Sequence, residues 1–136
     1  MPAILEAGKL GSRAAKVGFD WPDTQGLFEK LDEEILELKA ELQKDKLPSE
    51  SQMTPKAVEE EMGDLLFTVV NLARHLKVDP ESALRAANAK FRQRFAAMEA
   101  EAGGSEALAA RTPEQLEDLW SRAKDQKIVE QAIHER

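Results

Sequence analysis

Signals that start and stop α-helices recur along this sequence and divide it into five segments. Gly18 ends the first segment, and a capping residue followed by proline opens three later ones, at Thr54-Pro55, Asp79-Pro80 and Thr112-Pro113. Between these signals apolar residues recur every three or four positions, as on amphipathic helices, and no segment alternates like a strand. We therefore predict an all-α protein with helices at about 3–17, 24–45, 55–76, 80–102 and 113–133, and a loop at 46–54.

The length, charge and amino-acid usage narrow the class of protein. A chain of 136 residues is long enough for one domain with a core of its own. Its 26 acidic and 19 basic residues give a net charge of -7, which argues against a nucleic-acid surface. Cysteine is absent, which excludes disulfides and thiolate metal sites. No apolar run suits a signal peptide or a membrane span, so we expect a cytoplasmic protein without a membrane partner.

Two pairs of carboxylates, Glu34 with Glu37 and Glu61 with Asp64, provide the main functional signal. The spacing of three residues places both members of a pair on one side of their helix. The pairs are nearly symmetric about the loop at 46–54, so an antiparallel hairpin would bring all four to the same height. Like charges about 4 Å apart repel by roughly 4 kcal/mol per pair at an effective dielectric near 20, and a cation would neutralise them. Oxygen ligands of this kind suit Mg²⁺ or Mn²⁺, usually together with substrate phosphates.

Neighbouring acids leave the choice of ligands open by one residue in each pair. Glu33 and Glu60 stand four residues before Glu37 and Asp64, and Glu41 is a further candidate along the second helix. The alternative interpretation is an ordinary solvated acidic face with weak ion pairs. The metal site is favoured because the pairs border the apolar stripe of each helix, where exposed charges are least expected.

The apolar residues of the second and third helices predict how these helices pack. The second helix carries one stripe in steps of three and four residues, namely Leu27, Leu31, Ile35, Leu38 and Leu42. The third carries a main stripe made of Val58, Met62, Leu65, Val69, Leu72 and Leu76. Three further apolar residues of this helix lie outside the stripe, namely Leu66, Phe67 and Val70. A helix that is apolar over most of its circumference is buried on more than one side. We therefore predict a homodimer or a higher homo-oligomer.

The fourth and fifth helices carry basic and aromatic residues with helical spacing. Lys90 and Arg94 are four residues apart, and such a pair would grip a polyphosphate, Arg94 with a bidentate fork and Lys90 as a point charge. Trp120 and Lys124 repeat this spacing, and Trp120 would stack on a nucleobase. The alternatives are a solubilising surface patch for the basic pair and plain packing for Trp120.

Several motifs of phosphate binding and hydrolysis are absent from the sequence. It has no glycine-rich phosphate loop, no serine in a nucleophile elbow and no His-Glu-x-x-His zinc motif. A covalent mechanism is therefore disfavoured, and metal-assisted hydrolysis is the chemistry that the residues predict.

Five stretches of the sequence resemble the MazG nucleoside triphosphate pyrophosphohydrolases, in particular the C-terminal half of the two-domain bacterial members. They are 17–23 (Val-Gly-Phe-Asp-Trp-Pro-Asp), 30–37, 59–67, 71–74 and 87–95, the last with an Asn-x-Lys-Phe-x-x-Arg-Phe pattern. The two acidic pairs alone are shared with dimeric dUTPases, dCTP pyrophosphatases and phosphoribosyl-ATP pyrophosphohydrolases. The Gly-Phe-Asp-Trp and Asn-x-Lys-Phe segments point to MazG, and the resemblance covers about residues 13–99.

The resemblance implies a fold, a cofactor and a set of ligands. The fold is a MazG-like four-helix-bundle architecture with an additional C-terminal helix, forming one domain over 1–136 and assembled as a dimer. The resemblance implies Mg²⁺ held by all members of the two acidic pairs, Glu34, Glu37, Glu61 and Asp64. It also implies that Lys90 and Arg94 contact the triphosphate and that Trp120 and Lys124 lie near the nucleotide.

The expected reaction converts a nucleoside triphosphate, ATP among them, and water into a nucleoside monophosphate and pyrophosphate by attack at the α-phosphorus. The expected catalytic residues are Glu34, Glu37, Glu61, Asp64 and Lys90, and the expected substrate-binding residues are Glu33, Glu60, Lys90, Arg94, Trp120 and Lys124. Glu37 or Glu33 would orient or deprotonate the water. Two alternatives stay open: a non-catalytic nucleotide-binding or regulatory helical module, and a narrower dUTP- or dCTP-type pyrophosphatase.

Overall fold

The structure of the chain is a computed structural model, which describes the backbone of residues 1–44 and 55–134 and the side chains of 1–43 and 55–125. Six helices follow one another, α1 (Ala3–Lys16), α2 (Thr24–Lys44), α3 (Lys56–His75), α4 (Pro80–Ala102), α5 (Ser105–Ala109) and α6 (Pro113–His134). No strand occurs among the described residues, so the all-α prediction is confirmed. The short helix α5 was not expected, and the predicted loop at 46–54 and its capping Thr54 lie outside the described residues.

Side-chain caps fix the starts of three helices where the sequence predicted them. The Asp23 carboxylate accepts a hydrogen bond from the Gly26 backbone N–H at 2.9 Å, which caps α2. Asp79 does the same for α4 by accepting from the Glu81 N–H at 3.2 Å. At α6, Thr112 Oγ1 accepts from the Gln115 N–H and Gln115 Oε1 accepts from the Thr112 N–H, a complete capping box.

The described residues group into two compact units, 1–83 and 84–136. In the first unit α3 packs against both α1 and α2. Its most buried side chains are Leu27, Thr68, Val70 and Asn71, with Glu34. In the second unit, α4, α5 and α6 share a small apolar core made of Met98, Ala102, Leu108, Leu119 and Ala123.

Part of the main apolar stripe of α3, which the sequence predicted to be buried, is exposed in the single chain. Met62, Val69 and Leu76 of that stripe are 43%, 44% and 52% exposed. The residues that α3 buries are instead Thr68, Val70 and Asn71. Polar residues occupy this inward face because their side chains bond along the helix, as Thr68 Oγ1 donates to the Asp64 carbonyl oxygen at 2.9 Å.

A polar network ties the connection between α1 and α2 to the end of α3. The Asp20 carboxylate accepts from Arg74 Nη2 at 2.8 Å and Nη1 at 3.2 Å, and it lies 2.9 Å from His75 Nε2. Arg74 Nε donates to Asn71 Oδ1 at 3.0 Å, and the fully buried Asn71 donates to the Phe67 carbonyl oxygen at 3.0 Å. These bonds, led by the one from Arg74, hold the pKa of Asp20 well below its usual range. Asp20 is therefore ionised near neutral pH, and the network holds the connection in place.

None of the helices is both long enough and apolar enough to cross a membrane within the part of the chain that the structure describes.

Candidate active site

Three of the four predicted ligands converge where α2 and α3 pack together. One carboxylate oxygen each from Glu34, Glu61 and Asp64 lies within 4.8 Å of the other two. Glu37 bonds to Glu61, Glu34 lies near Asp64, and Lys30 lines a cavity with Phe67, so residue numbers fall along α2 as they rise along α3 and the two helices are antiparallel here. The antiparallel packing of α2 and α3, expected from the symmetric spacing of the acidic pairs, therefore brings these three carboxylates together.

The cluster contains buried oxygen atoms that lack a protein partner. Glu34 is only 4% exposed, although it is a carboxylate on a long helix. Glu34 Oε2 and Glu61 Oε2 are buried and accept no hydrogen bond from any described residue. An unsatisfied buried carboxylate oxygen is unfavourable by several kcal/mol unless a cation or a donor meets it. The donor set is all oxygen and carries three negative charges when all three carboxylates are ionised, which fits a hard divalent cation.

The electrostatics of Glu61 show how strongly the acids interact. Removal from water is the main cause that raises the pKa of Glu61 to about 7. A hydrogen bond with Glu37 and the negative charges of Glu37, Glu34 and Asp64 raise it further. Glu37, the fourth predicted ligand, is exposed and lies outside the close set of three, but it faces Glu61 directly. A bound cation would reverse this shift, because it favours the charged carboxylates.

Lys30 is a site residue that the sequence analysis did not select. Its Nζ lies 3.0 Å from Glu34 Oε1 and 3.6 Å from Glu33 Oε1. The hydrogen bond with Glu34 raises the pKa of Lys30, so the ammonium group stays charged. Its spacing of four residues from Glu34 was a visible signal, since such pairs meet on one helix face.

The remaining predicted acids lie at the edge of the cluster. Glu33 is exposed and pairs with Lys30, whereas Glu60 is exposed on α3. Glu41 is half-buried further along α2. None of these three belongs to the close set of ligand oxygens among the described residues.

The second unit brings two of its four predicted binding residues together. The Arg94 guanidinium carbon lies 5.5 Å from the centre of the Trp120 ring, a cation–π contact. Phe91 also contacts Trp120, with ring centres 5.4 Å apart. Arg94 Nε is buried and donates to no group in the described residues, so this N–H lacks a protein acceptor. Lys90 and Lys124 are exposed.

Two packed helices that bring three carboxylates together, two of them with an unpartnered buried oxygen, form an arrangement that fits a divalent cation. Residues 23–97, more than half of the 136-residue chain, match the family described as the MazG nucleotide pyrophosphohydrolase domain. The chain belongs to this family, and the resemblance seen in its sequence is confirmed.

Named relatives match nearly the whole chain. It is 44% identical over 125 residues, 91% of its length, to the nucleoside triphosphate pyrophosphohydrolase/pyrophosphatase MazG of Thermotoga maritima. It is 40% identical over 130 residues, 94% of its length, to the nucleoside triphosphate pyrophosphohydrolase of Escherichia coli K12. The matches cover 45% and 47% of these two proteins, so the chain spans about half the length of the curated relatives it matches. The uncharacterized protein YabN of Bacillus subtilis is 46% identical over 67 residues, 48% of this chain and 14% of that protein.

Proposed function

We propose that this chain hydrolyses nucleoside triphosphates to nucleoside monophosphates and pyrophosphate, with Mg²⁺ as the cofactor and Mn²⁺ as the alternative. The observation that carries the proposal is the set of three converging carboxylates with two unpartnered buried oxygens. The similarity to the nucleoside triphosphate pyrophosphohydrolases of Thermotoga maritima and Escherichia coli, at 44% and 40% identity, supports the reaction. A cation site bordered by acidic groups and lacking a protein nucleophile suits attack by water.

Glu34, Glu61 and Asp64, with Glu37 beside them, would hold the cation. When bound, the cation would lower the pKa of a water molecule and offset the charge of the phosphates. The Lys30 ammonium holds the Glu34 carboxylate through the contact of 3.0 Å with Oε1, which leaves Oε2 of Glu34 without a protein partner.

In the proposed reaction the water oxygen bonds to the α-phosphorus and the bond from α-phosphorus to the bridging oxygen of the β-phosphate breaks. Pyrophosphate leaves with the electron pair of that bond. Glu37 or Glu33 is proposed to accept the water proton, since both are exposed carboxylates beside the cluster. Lys90 and Arg94 are proposed to stabilise charge on the phosphate oxygens, with Trp120 and Lys124 close to the nucleotide.

We also propose that the chain acts as a homodimer or a higher homo-oligomer. Exposed apolar side chains on α3 support this proposal, with Leu66 58% exposed in addition to Met62 and Val69. Apolar residues clustered on one helix are a feature of protein interfaces. Sedimentation at micromolar concentration tests this proposal, and a stable monomer would contradict it.

Pyrophosphate and monophosphate release from each nucleoside triphosphate with Mg²⁺ tests the activity. We expect Glu61→Ala and Asp64→Ala to lose at least about 99% of turnover while the helix content measured by circular dichroism is retained. Asp32→Asn, which removes an exposed acid of the same helix as Glu34, is the matched control and should keep wild-type turnover.

The outcomes of this assay separate the three interpretations. Nucleotide binding without any product would indicate a binding or regulatory module. Turnover of dUTP or dCTP alone would indicate the narrower pyrophosphatase. More than a tenth of wild-type activity in both Glu61→Ala and Asp64→Ala would contradict the assignment of the metal ligands.

A further inference from the structure

A cavity of about 530 Å³ lies in the first unit, beside α1 and the connection that follows it. Its walls are largely apolar and include Leu10, Ala14, Trp21, Pro22 and Phe67. This volume falls in the range of roughly 300–1,000 Å³ that is usual for sites of small organic ligands. The cavity therefore has room for a planar ring system, and it offers two aromatic side chains to contact one.

The cavity begins one helical turn from the carboxylate cluster on both helices that form the cluster. On α2 its wall includes Lys30, which lies one turn before Glu34 and contacts that carboxylate. On α3 its wall includes Phe67, which lies one turn after Asp64. A turn of α-helix advances by about 5.4 Å, so the cavity and the cluster are close enough for one ligand to occupy both.

The polar side chains of the cavity wall already have partners: Asp20 and Arg74 bond to each other, and Lys30 pairs with Glu33 and Glu34. The Arg74 guanidinium donates hydrogen bonds to the Asp20 carboxylate and to the side-chain oxygen of Asn71. The Asp20 carboxylate also accepts the backbone N–H of Trp21 at 2.9 Å, and the Trp21 ring meets His75 edge-on with centres 6.4 Å apart. These contacts hold Trp21 at the cavity wall before any ligand arrives, and they leave the aromatic and apolar surfaces as the main contacts that the cavity offers.

We propose that this cavity receives the nucleobase of a substrate whose phosphates lie at Glu34, Glu61 and Asp64, with Trp21 and Phe67 contacting the base. The inference rests on the proposed function, and it names the part of the first unit that binds the base. Trp120, the other tryptophan of the chain, already contacts Arg94 and Phe91 within its own unit. These contacts favour a role for Trp120 in holding the Arg94 guanidinium over a role in stacking on the base.

A substitution that fills the cavity distinguishes a subsite for the base from a cavity that binds nothing. Ala14→Phe places a ring in this cavity, whereas Ala7→Phe, seven residues earlier on α1, places the same ring in a neighbouring cavity of about 310 Å³, which shares Leu10 and Phe67 with the first but not Trp21. We expect Ala14→Phe to raise KM for ATP by at least about 10-fold and Ala7→Phe to change it less than about twofold. The inhibition constant of inorganic triphosphate, which has no base, should be unchanged in both variants. Equal KM values for the two variants would overturn the proposal.

Binding to Trp21 can be measured without turnover. The chain has two tryptophans, so Trp120→Phe leaves Trp21 as the single indole fluorophore. With Mg²⁺ present, α,β-methylene-ATP should quench Trp21 fluorescence, and inorganic triphosphate at saturation should not. Equal quenching by both ligands would overturn the base assignment. Absence of quenching by either ligand, when a calorimetric titration shows that both bind, would also overturn it. Neither result depends on whether Ala14→Phe folds.

Variants at Trp21 provide a third measurement. Loss of one base–aromatic stack corresponds to about a 5- to 150-fold loss of affinity, so Trp21→Ala should raise KM for ATP in that range. Trp21→Phe keeps an aromatic face and should restore most of the affinity. If the wild type hydrolyses no nucleoside triphosphate, the proposed function fails, whereas turnover that is insensitive to Ala14→Phe and Trp21→Ala defeats the base subsite alone.

Discussion

Two glycines of α1, Gly8 and Gly11, differ sharply in the space that a side chain would find. A Cβ atom at Gly8 would lie 3.7 Å from Val70 Cγ1, an ordinary contact. A Cβ atom at Gly11 would overlap Asn71 Oδ1 and come within 2.9 Å of Asn71 Cγ and 3.0 Å of Arg74 Nε. Gly11→Ala should therefore displace a fully buried amide, and Gly8→Ala should not.

The magnitude follows from three contributions to the free energy of unfolding. Replacing glycine by alanine inside a helix stabilises it by about 0.5–1 kcal/mol. Overpacking at Gly11 destabilises the protein by about 1–3 kcal/mol, because the fully buried Asn71 side chain must shift to admit the Cβ atom. If Asn71 moves, its hydrogen bond with the Arg74 guanidinium is lost, which destabilises by about 1.5–3 kcal/mol. We expect Gly11→Ala to lose about 2–4 kcal/mol and Gly8→Ala to gain up to about 1 kcal/mol.

Urea denaturation followed by circular dichroism measures both values at one protein concentration. With a slope of about 2 kcal/mol per molar urea, the midpoint of Gly11→Ala should fall by about 1–2 M. The midpoint of Gly8→Ala should stay the same or rise. If Gly11→Ala unfolds within about 0.3 M of Gly8→Ala, the close packing of α1 on the buried amide of Asn71 is refuted.

Three further predictions concern the carboxylate cluster and one backbone position. The fold raises the pKa of Glu61 from 4.5 to about 7. The contribution of this group to stability without metal should therefore be full below about pH 4.5 and be lost as the pH rises through 7. In thermal melts with EDTA, Glu61→Gln should flatten this pH profile. At pH 8, millimolar Mg²⁺ should raise the melting temperature of the wild type and leave that of Asp64→Asn unchanged in the same assay, because a cation stabilises only the state that binds it. Lys77 has a φ of 59°, so Lys77→Gly should stabilise the protein by about 0.5–1 kcal/mol in urea titrations, and an unchanged or lower midpoint would contradict left-handed strain there.

The sequence predicted those parts of the structure that depend on short-range spacing. The capping box of Thr112 and Gln115 and the cap at Asp23 could be read because each needs only three or four neighbouring residues. The meeting of Glu34 with Glu61 and Asp64 could be predicted because the helical repeat and a hairpin together fix the height of each side chain. Local chemistry was sufficient in both cases.

The buried face of α3 could not be predicted from the sequence in the same way. Periodicity ranks Met62 and Val69 above Asn71 as core residues because they are more apolar. Asn71 is nevertheless completely buried, since Gly11 of α1 offers it space and Arg74 satisfies its oxygen. Such burial depends on partners from another helix and on a missing side chain, neither of which the pattern within α3 contains. The short helix α5 escaped notice because its five residues are too few to show a repeat.

Lys30 shows a related limit of sequence reasoning about the site. Its contact with Glu34 follows from a spacing of four residues, a pattern that is common on exposed helices. The contact becomes informative only because Glu34 is buried, which the sequence did not reveal. Positions around a site are therefore harder to assign than the charged groups at its centre.

The unpartnered oxygens of Glu34 and Glu61 lower the thermal stability of the metal-free protein, although the proposed reaction requires them. Neutral side chains of similar size at these positions would relieve repulsion and hydration loss without disturbing the helical hairpin. Selection of random variants for survival on heating in the absence of cations should thus discard these acids early, whereas selection for turnover should preserve them. The same oxygen atoms lower the stability of the folded chain and would bind the cation in the proposed reaction.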